Sequence, residues 1–127
     1  MFNWLRRRED ACKAGEMPAV DKNTDLDCLL RERLVVLFKH SSACPVSWAA
    51  HSQVNRFRLK HPDIPVHILH VIRERPTSMK IAEITGVRHE SPQIIILRNG
   101  VVAASASHGH ITEGRLSEML TGAPVQY

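Results

Sequence analysis

The chain has 127 residues, 43% of them hydrophobic and 24% charged, which suits a single globular domain with a real core. Its formal net charge of +4 is spread along the chain without a basic stripe interleaved with aromatics, so a nucleic-acid partner is not expected. No apolar run approaches the roughly 20 residues that span a membrane, and the apolar stretch before Arg6 is too short for a secretory signal, so we expect a cytoplasmic protein without a membrane partner.

The N-terminal residues differ in character from the rest of the chain. Residues 1–23 are rich in polar side chains, and they predict a mobile or loosely docked arm. A single domain is predicted over residues 24–122, followed by a short tail of residues 123–127. Thr24 is the expected N-cap of a first helix that runs to about Arg33.

The middle of the chain alternates between strand and helix patterns. The continuous apolar run LVVLF, residues 34–38, predicts a strand that is buried on both faces. From Val46 to about Lys60, apolar residues recur at helical spacing and predict a helix. The run VHILHVI, residues 66–72, predicts a second buried strand, and the following segment predicts a helix that opens on a proline and ends at Gly86.

The last third of the chain predicts a hairpin and a helix. Asn99 and Gly100, flanked by apolar runs, are the strongest short hairpin signal, and a final helix is predicted from Thr112 to Gly122. Because the first two strands are joined through a helix, they should be parallel with a right-handed crossover. The hairpin then adds two antiparallel strands. The predicted fold class is α/β, with a thioredoxin-like, central mixed four-stranded sheet flanked by helices.

Three cysteines, Cys12, Cys28 and Cys44, are an odd number and form no C-x-x-C pair. This pattern argues against a disulfide framework and against a four-ligand zinc site. Cys12 lies in the arm, where it is either a resolving thiol or, by preference, an incidental exposed cysteine. Cys28 is expected to pack into the core from the first helix. Any cysteine of functional importance here acts through its reactivity.

Cys44 lies at the junction between the first predicted strand and the following helix, and Pro45 is suited to the first helical position. Free backbone N–H groups and the positive end of the helix dipole favour a thiolate there, and the thiolate is the nucleophile of disulfide exchange. Ser47, one turn further on, is expected to donate a hydrogen bond to the sulfur, but as an alcohol it cannot close a disulfide. These three residues predict single-thiol catalysis; the alternative is that Cys44 is a small buried hydrophobe.

Ser91 and Pro92 come directly before an apolar strand, where a proline removes a donor from the ladder. Either a cis peptide bond or an ordinary edge or loop proline is compatible with this position. In a thioredoxin-like fold this position abuts the catalytic thiol. We therefore expect the Ser91 backbone to pair with an extended substrate, and Pro92 to shield the thiolate from metals.

The segment SASHGHIT, residues 105–112, links the hairpin to the last helix and should return to the Cys44 end of the sheet. Ser107 and His108 are candidates for binding the carboxylate of a small thiol, because helix N-termini bind carboxylates. The pair His108 and His110 also raises the possibility of a metal ligand set. With no acidic partner evident, no metal site is predicted.

Further candidates for substrate binding are basic residues near the predicted strand ends. Arg73 and Arg75 follow the second strand and can recognise a carboxylate or phosphate, although a solvated strand end is an equally open interpretation. Lys39 and His40 directly precede the turn with the thiol and are candidates for stabilising its anion, with simple exposure as the alternative. Trp48 either contacts a partner or packs on its own helix.

The segments FKHSSACPVS, VIRERPTSMKIAEITGVRHESPQIIILRNG and SHGHIT, in this order and spacing, resemble the monothiol bacilliredoxins, the bacillithiol-system YtxJ-like proteins. The resemblance covers residues 24–122, and the arm before it is longer than the family pattern leads us to expect. It implies a thioredoxin-like fold and removal of bacillithiol from oxidised protein cysteines. The match of motifs implies that Cys44 is the nucleophile and that Pro45 and Ser47 complete its site. It also implies that Ser91 and Pro92 form the cis-proline loop.

The predicted activity is that of a monothiol thiol–disulfide oxidoreductase, which removes a low-molecular-weight thiol from protein mixed disulfides. No cofactor is expected beyond bacillithiol or another small thiol as co-substrate, and a reducing redoxin or reductase is the expected further partner. Two alternatives come from other classes. One is an iron–sulfur cluster carrier, against which the bulky Pro45 and Val46 argue mildly. The other is a non-catalytic thioredoxin-like binding module, because a fold does not determine a function.

Overall fold

The computed structural model describes residues 16–122, so Cys12 and the predicted tail of residues 123–127 lie outside the described part. The helices and strands follow the predicted order, with one short 3-10 helix added before the last helix. In chain order they are α1 Leu26–Leu30, β1 Leu34–His40, α2 Pro45–Lys60, β2 Val66–His70, α3 Arg75–Thr85, β3 Gln93–Arg98, β4 Val101–Ser107, the 3-10 helix His108–His110 and α4 Glu113–Leu120.

The four strands form one mixed sheet in the order β2-β1-β3-β4. Strand β1 runs parallel to β2, with Val36 opposite Val66, and antiparallel to β3, with Leu37 opposite Ile95. Strands β3 and β4 pair in antiparallel fashion around the hairpin. The predicted mixed four-stranded sheet, flanked by helices, is confirmed.

Successive side chains of β1 point to opposite faces of the sheet, and both faces are covered. On one face Phe38 is buried against Phe57 of α2 and Leu116 of α4. On the other face Leu37 is buried in a second cluster with Ile81 of α3. The two final residues of β1 therefore also turn to different sides of the molecule.

The first helix begins one residue later and ends about three residues earlier than its sequence pattern predicts. Asp25, not Thr24, is its N-cap, and the Asp25 carboxylate accepts the backbone N–H of the third helical residue at 3.0 Å. The Thr24 hydroxyl instead accepts the amide of Asp21 at 3.0 Å, which closes a turn just before the helix. The helix ends at Leu30 rather than near Arg33.

The prediction that Cys28 packs into the core is wrong, because its side chain is exposed. The helix α1 buries Leu26, Leu29 and Leu30, which lie at spacings of three and four on one face. Cys28 stands two residues from the first of these leucines, so it projects from the opposite side.

The described end of the predicted arm is attached to the sheet. Ala19 forms an isolated parallel bridge with Ile68 of β2. The amide of Val20 donates to the Ile68 carbonyl at 2.8 Å, and the Ile68 amide donates to the Pro18 carbonyl at 2.9 Å. The side chains of Met17 and Val20 are buried. This segment therefore covers the otherwise open edge of β2.

Candidate active site

Cys44 is the N-cap residue of α2, at the end of a tight turn that follows β1. Its backbone N–H donates to the Ser41 carbonyl at 3.2 Å, and its own carbonyl accepts the amides of Ser47 and Trp48 at 3.1 and 3.2 Å. Pro45 occupies the first turn of the helix, as predicted from its fixed backbone angle. The Cys44 side chain is half-buried, and its sulfur makes no capping hydrogen bond. The thiol is thus held in place by its backbone and left free for chemistry.

Ser47 is fully buried and fastens the turn to the helix. Its hydroxyl oxygen accepts the backbone N–H of Ser41 at 2.9 Å and lies 2.7 Å from Nδ1 of His40. The predicted hydrogen bond from Ser47 to the Cys44 sulfur is not among the hydrogen bonds of residues 16–122. The hydroxyl is engaged beneath the turn instead, so Ser47 sets the geometry of the loop that bears the thiol.

The ring of His40 is 1% exposed, and its Nε2 atom has no hydrogen-bond partner within the described chain. Burial, with smaller effects of His51 and His70, lowers the pKa of His40 to about 4, so the ring is neutral at neutral pH. The Ser47 oxygen already accepts one N–H, and its single proton needs an acceptor, which Nδ1 provides. We therefore assign the ring proton of His40 to Nε2.

Four further rings surround that of His40, namely Phe38, Trp48, His51 and His70. Trp48 meets the His40 ring edge-on with ring centroids 4.6 Å apart, and its indole Nε1 donates to the Ser42 carbonyl at 2.9 Å. The rings of His51 and His70 lie 5.0 and 5.9 Å from that of His40. Sequence reasoning missed this cluster, although His40 and His70 end neighbouring parallel strands and are register partners.

Lys39, which is predicted to stabilise the Cys44 anion, points to the sheet face opposite the one that packs against α2. Its side chain is completely buried on the sheet face covered by α3. There Nζ donates to the Ser78 carbonyl at 3.0 Å and lies 3.1 Å from Nδ1 of His89. Burial lowers the pKa of Lys39 to about 8. Because adjacent strand residues face opposite sides, Lys39 and His40 cannot both point toward α2.

The segment before β3 lies at the same end of the sheet as Cys44, because Gln93 is the register partner of Lys39 near the end of β1. The Ser91–Pro92 peptide bond is cis. The Pro92 carbonyl accepts the backbone N–H of His108 at 3.0 Å. The Ser91 hydroxyl is buried and has no hydrogen-bond partner among the residues that the structure describes.

Ser107 and His108 lie beside the Ser91–Pro92 segment. Ser107 is the register partner of Gln93, the residue after Pro92. His108 is exposed and adopts a left-handed backbone conformation with φ of 54° at the start of the 3-10 helix. The structure therefore brings the Ser91–Pro92 turn and the Ser107–His108 turn together at one end of the sheet.

The two arginines after β2 differ in their surroundings. Arg73 lines a pocket of about 200 Å³ together with His40, Ser42, His70 and Ile72. Arg75, the predicted substrate-binding residue, begins α3 and is exposed, and it does not line that pocket. Its charge is one of the influences that lower the pKa of His89, after burial and the charge of Lys39.

The side chains and helices of residues 16–122 show no feature of a metal site or of a membrane span. No three or more His, Cys, Asp or Glu side chains there are grouped so that they can hold a metal ion. Over the same range, no helix is both long and apolar enough to cross a membrane.

Comparison with known proteins adds a family and a fold. The model of a family described as monothiol bacilliredoxin BrxC matches residues 19–116. A solved structure described as having a thioredoxin fold is 30% identical, with a TM-score of 0.77, and the match covers 84% of this chain and 96% of that chain.

Two thioredoxins match at lower identity and support the fold alone. The thioredoxin of Trypanosoma brucei brucei is 15% identical with a TM-score of 0.68, and the match covers 84% of this chain and 89% of that one. A thioredoxin variant from Halobacterium salinarum is 17% identical with a TM-score of 0.66, with 87% and 93% covered. The thioredoxin-like fold expected from the element order is confirmed.

Proposed function

The chain belongs to the monothiol bacilliredoxin family, and on that premise we propose that it removes bacillithiol from protein mixed disulfides through one nucleophilic cysteine, Cys44. The family and the thioredoxin fold are those of thiol–disulfide oxidoreductases. The main support for the reaction is the site itself. Cys44, whose thiol is half-buried, is the N-cap residue of a 16-residue helix, and Ser47 occupies the position at which a C-x-x-C motif has its second thiol.

The proposed reaction is a pair of thiol–disulfide exchanges. The Cys44 thiolate attacks the small-thiol sulfur of a protein–S–S–R disulfide, the S–S bond breaks, and the protein sulfur leaves as a thiolate that takes a proton from water. Cys44 then holds R as a mixed disulfide. A second thiol from outside attacks that disulfide, which restores the Cys44 thiolate and yields R bonded to the second thiol. Because Ser47 is an alcohol, it cannot perform this second step.

The helix supports the first step in two ways. Its positive end lies at the N-cap, so a negative charge that develops on the Cys44 sulfur is favoured there. The turn is also held rigidly by the two hydrogen bonds of Ser47, so the sulfur requires little rearrangement to attack. We propose that the reducing partner that completes the cycle is another redoxin or a reductase. The proposed cellular location of the reaction is the cytoplasm.

The turns at Ser91–Pro92 and Ser107–His108 are proposed to receive the polypeptide around the mixed disulfide. They meet at the end of the sheet where β1 leads into the Cys44 turn. The Ser91 backbone precedes β3 and is available to pair with an extended substrate segment. Adding a strand in this way contributes backbone hydrogen bonds that do not depend on the client's side chains. This suits an enzyme that acts on many oxidised proteins.

The test is intact-mass spectrometry of the reduced protein after separate exposure to bacillithiol disulfide and to glutathione disulfide. We expect a fast adduct with bacillithiol disulfide that is lost in Cys44→Ser. The matched control is Cys28→Ser, which removes an exposed thiol outside the site and should keep the fast adduct. Equal rates with both disulfides would support disulfide exchange at Cys44 but contradict a preference for bacillithiol. No Cys44 adduct with either would leave a thioredoxin-like binding module.

A further inference from the structure

The pocket next to the Cys44 turn is not used by the reaction described above. It is lined by His40, Ser42, His70, Ile72 and Arg73, and its volume is about 200 Å³. Ser42 lies two residues before the thiol, so the pocket adjoins the reacting sulfur along the chain. Its lining contains one permanent cation, two imidazoles and a hydroxyl, but no carboxylate. The pocket is therefore suited to bind a negatively charged group that accepts hydrogen bonds.

A buried donor without a partner points to the same conclusion. His40 lines the pocket and is 1% exposed, and its Nε2 has no hydrogen-bond partner in the described chain. With Nδ1 accepting from Ser47, Nε2 bears the ring proton and is an unsatisfied donor. Leaving such a donor buried without an acceptor costs free energy, so an occupant that accepts from it is favoured.

The other walls provide charge and an apolar surface. Arg73 is exposed and makes no ion pair with any residue of the described range, so its guanidinium is available to a ligand. Burial and this arginine lower the pKa of His70, so that ring is a neutral hydrogen-bonding group at neutral pH. Ile72 is 62% exposed and offers an apolar wall to a short carbon chain.

We propose that this pocket binds a carboxylate attached to the substrate close to its reacting sulfur, with Arg73 as the charge partner and His40 Nε2 and the Ser42 hydroxyl as donors. The proposal rests on the proposed function and names a recognition group for it. A carboxylate fits better than a phosphate dianion, since only one permanent positive charge lines the pocket. The carboxylate can belong to the small thiol or to an acidic residue beside the client's disulfide.

The first experiment measures the rate at which Cys44 forms an adduct with two matched disulfides, N,N′-diacetylcystine and its bis-amide. The wild type should prefer the acid by about tenfold, the effect of a hydrogen-bonded charged group. Arg73→Gln should bring this preference close to one. Arg56→Gln, an equal loss of charge at an exposed position of α2, should retain it. An acid preference that is the same in wild type and Arg73→Gln, or absent from both, counts against binding of the small thiol's carboxylate.

A second arm distinguishes the two sources of the carboxylate. Peptides with a cysteamine mixed disulfide, carrying either Asp or Asn next to the cysteine, replace the small disulfides. An Arg73-dependent preference for the Asp peptide assigns the pocket to the client, and one seen only with diacetylcystine assigns it to the small thiol. No Arg73-dependent preference in either arm overturns the proposal.

A third measurement does not depend on Cys44 chemistry. Succinate is titrated into Cys44→Ser, and the imidazole NMR signals of His40 and His70 are followed. Saturable shifts that disappear in Cys44→Ser/Arg73→Gln, and persist in Cys44→Ser/Arg56→Gln, support carboxylate binding even if no disulfide reacts. Signals that do not move, or move equally in both double variants, overturn it. Failure of the pocket and failure of the proposed function are thereby told apart.

Discussion

Lys39 is a charged residue whose side chain the fold buries completely at the end of β1. Its Nζ donates to the Ser78 carbonyl and contacts the ring of His89, and no carboxylate in the described range pairs with it. Desolvation disfavours its charged form and lowers its pKa from 10.5 to about 8. The cost of this burial therefore depends on pH.

We expect the wild type to gain stability relative to Lys39→Met as the pH rises from about 8 to about 10.5. Between these values the unfolded chain still binds the lysine proton and the folded chain has lost it, so the free energy of unfolding increases with pH. Below pH 8 the folded chain carries the full free-energy cost of burying the charged Lys39 side chain. Urea denaturation of both proteins at pH 7.5, 9 and 10.2 measures the difference. Parallel pH profiles for the two proteins would contradict the burial of a titrating lysine.

Ser47 is the buried hydroxyl that connects the Cys44 turn to α2 and to His40. Ser47→Ala leaves the Ser41 amide and His40 Nδ1 without their partner, which we expect to lower the free energy of unfolding by about 1–3 kcal/mol. Ser52→Ala is the matched control, since Ser52 is exposed on the same helix, and should change stability by less than about 0.5 kcal/mol. Equal stability losses in the two variants, measured in urea, would show that the hydroxyl does not hold the turn.

At the scale of elements, the junction between β1 and α2 shows what local patterns predict and what they miss. Pro45 and the apolar stripe that follows predict the start of α2 correctly, because helix initiation is decided locally. The pattern ends β1 at Phe38, but pairing with β2 extends the strand to His40. Hydrophobic periodicity detects only buried apolar residues. A buried lysine and a buried histidine at the end of a strand are therefore read from the sequence as polar loop residues.

The contacts within the site likewise divide into those that local sequence patterns predict and those that they miss. The positions of Cys44 and of the Ser91–Pro92 segment depend on short-range order and were anticipated from the sequence. The partner of Ser47 was not, because its hydroxyl bonds the ring of His40 across the turn rather than the sulfur. The placement of Lys39 depends on which helix covers which sheet face, and residue types alone do not determine that.

The β3–β4 hairpin depends on a turn in which both central residues have positive φ, 51° at Asn99 and 83° at Gly100. Gly100→Ala should lower the free energy of unfolding by about 1 kcal/mol, since a Cβ disfavours this conformation. Crowding adds little, because the nearest atom to such a Cβ is 3.8 Å away.

The control for this hairpin prediction is Gly114→Ala, which lies inside α4 with open space around the added carbon. Alanine is the better helix former, so this variant should gain about 0.5–1 kcal/mol. The two glycine variants are thus expected to move the urea midpoint in opposite directions. A gain in both would exclude a strained turn at Gly100.

For the molecule as a whole, the sheet has helices on both faces and a covered edge at β2. Sequence patterns predict the two faces, because buried strands and amphipathic helices leave a period in the sequence. They do not predict the edge, since the segment Pro18–Val20 is too short to show a period and follows a polar stretch. Its attachment depends on unpaired backbone groups of β2 that exist only after the sheet has formed.

If the segment around Val20 is an integral part of the domain, weakening its contact should lower the stability of the whole fold. Val20 is 1% exposed, and Val20→Ala removes the equivalent of two buried methylenes while keeping the backbone hydrogen bonds to Ile68. We expect a loss of about 1.5 kcal/mol in the free energy of unfolding, in one cooperative transition. Ala19→Ser, at the exposed neighbouring position, should change it by less than about 0.5 kcal/mol. If Val20→Ala has the stability of the wild type in urea, the segment is a loosely docked arm and the domain begins after it.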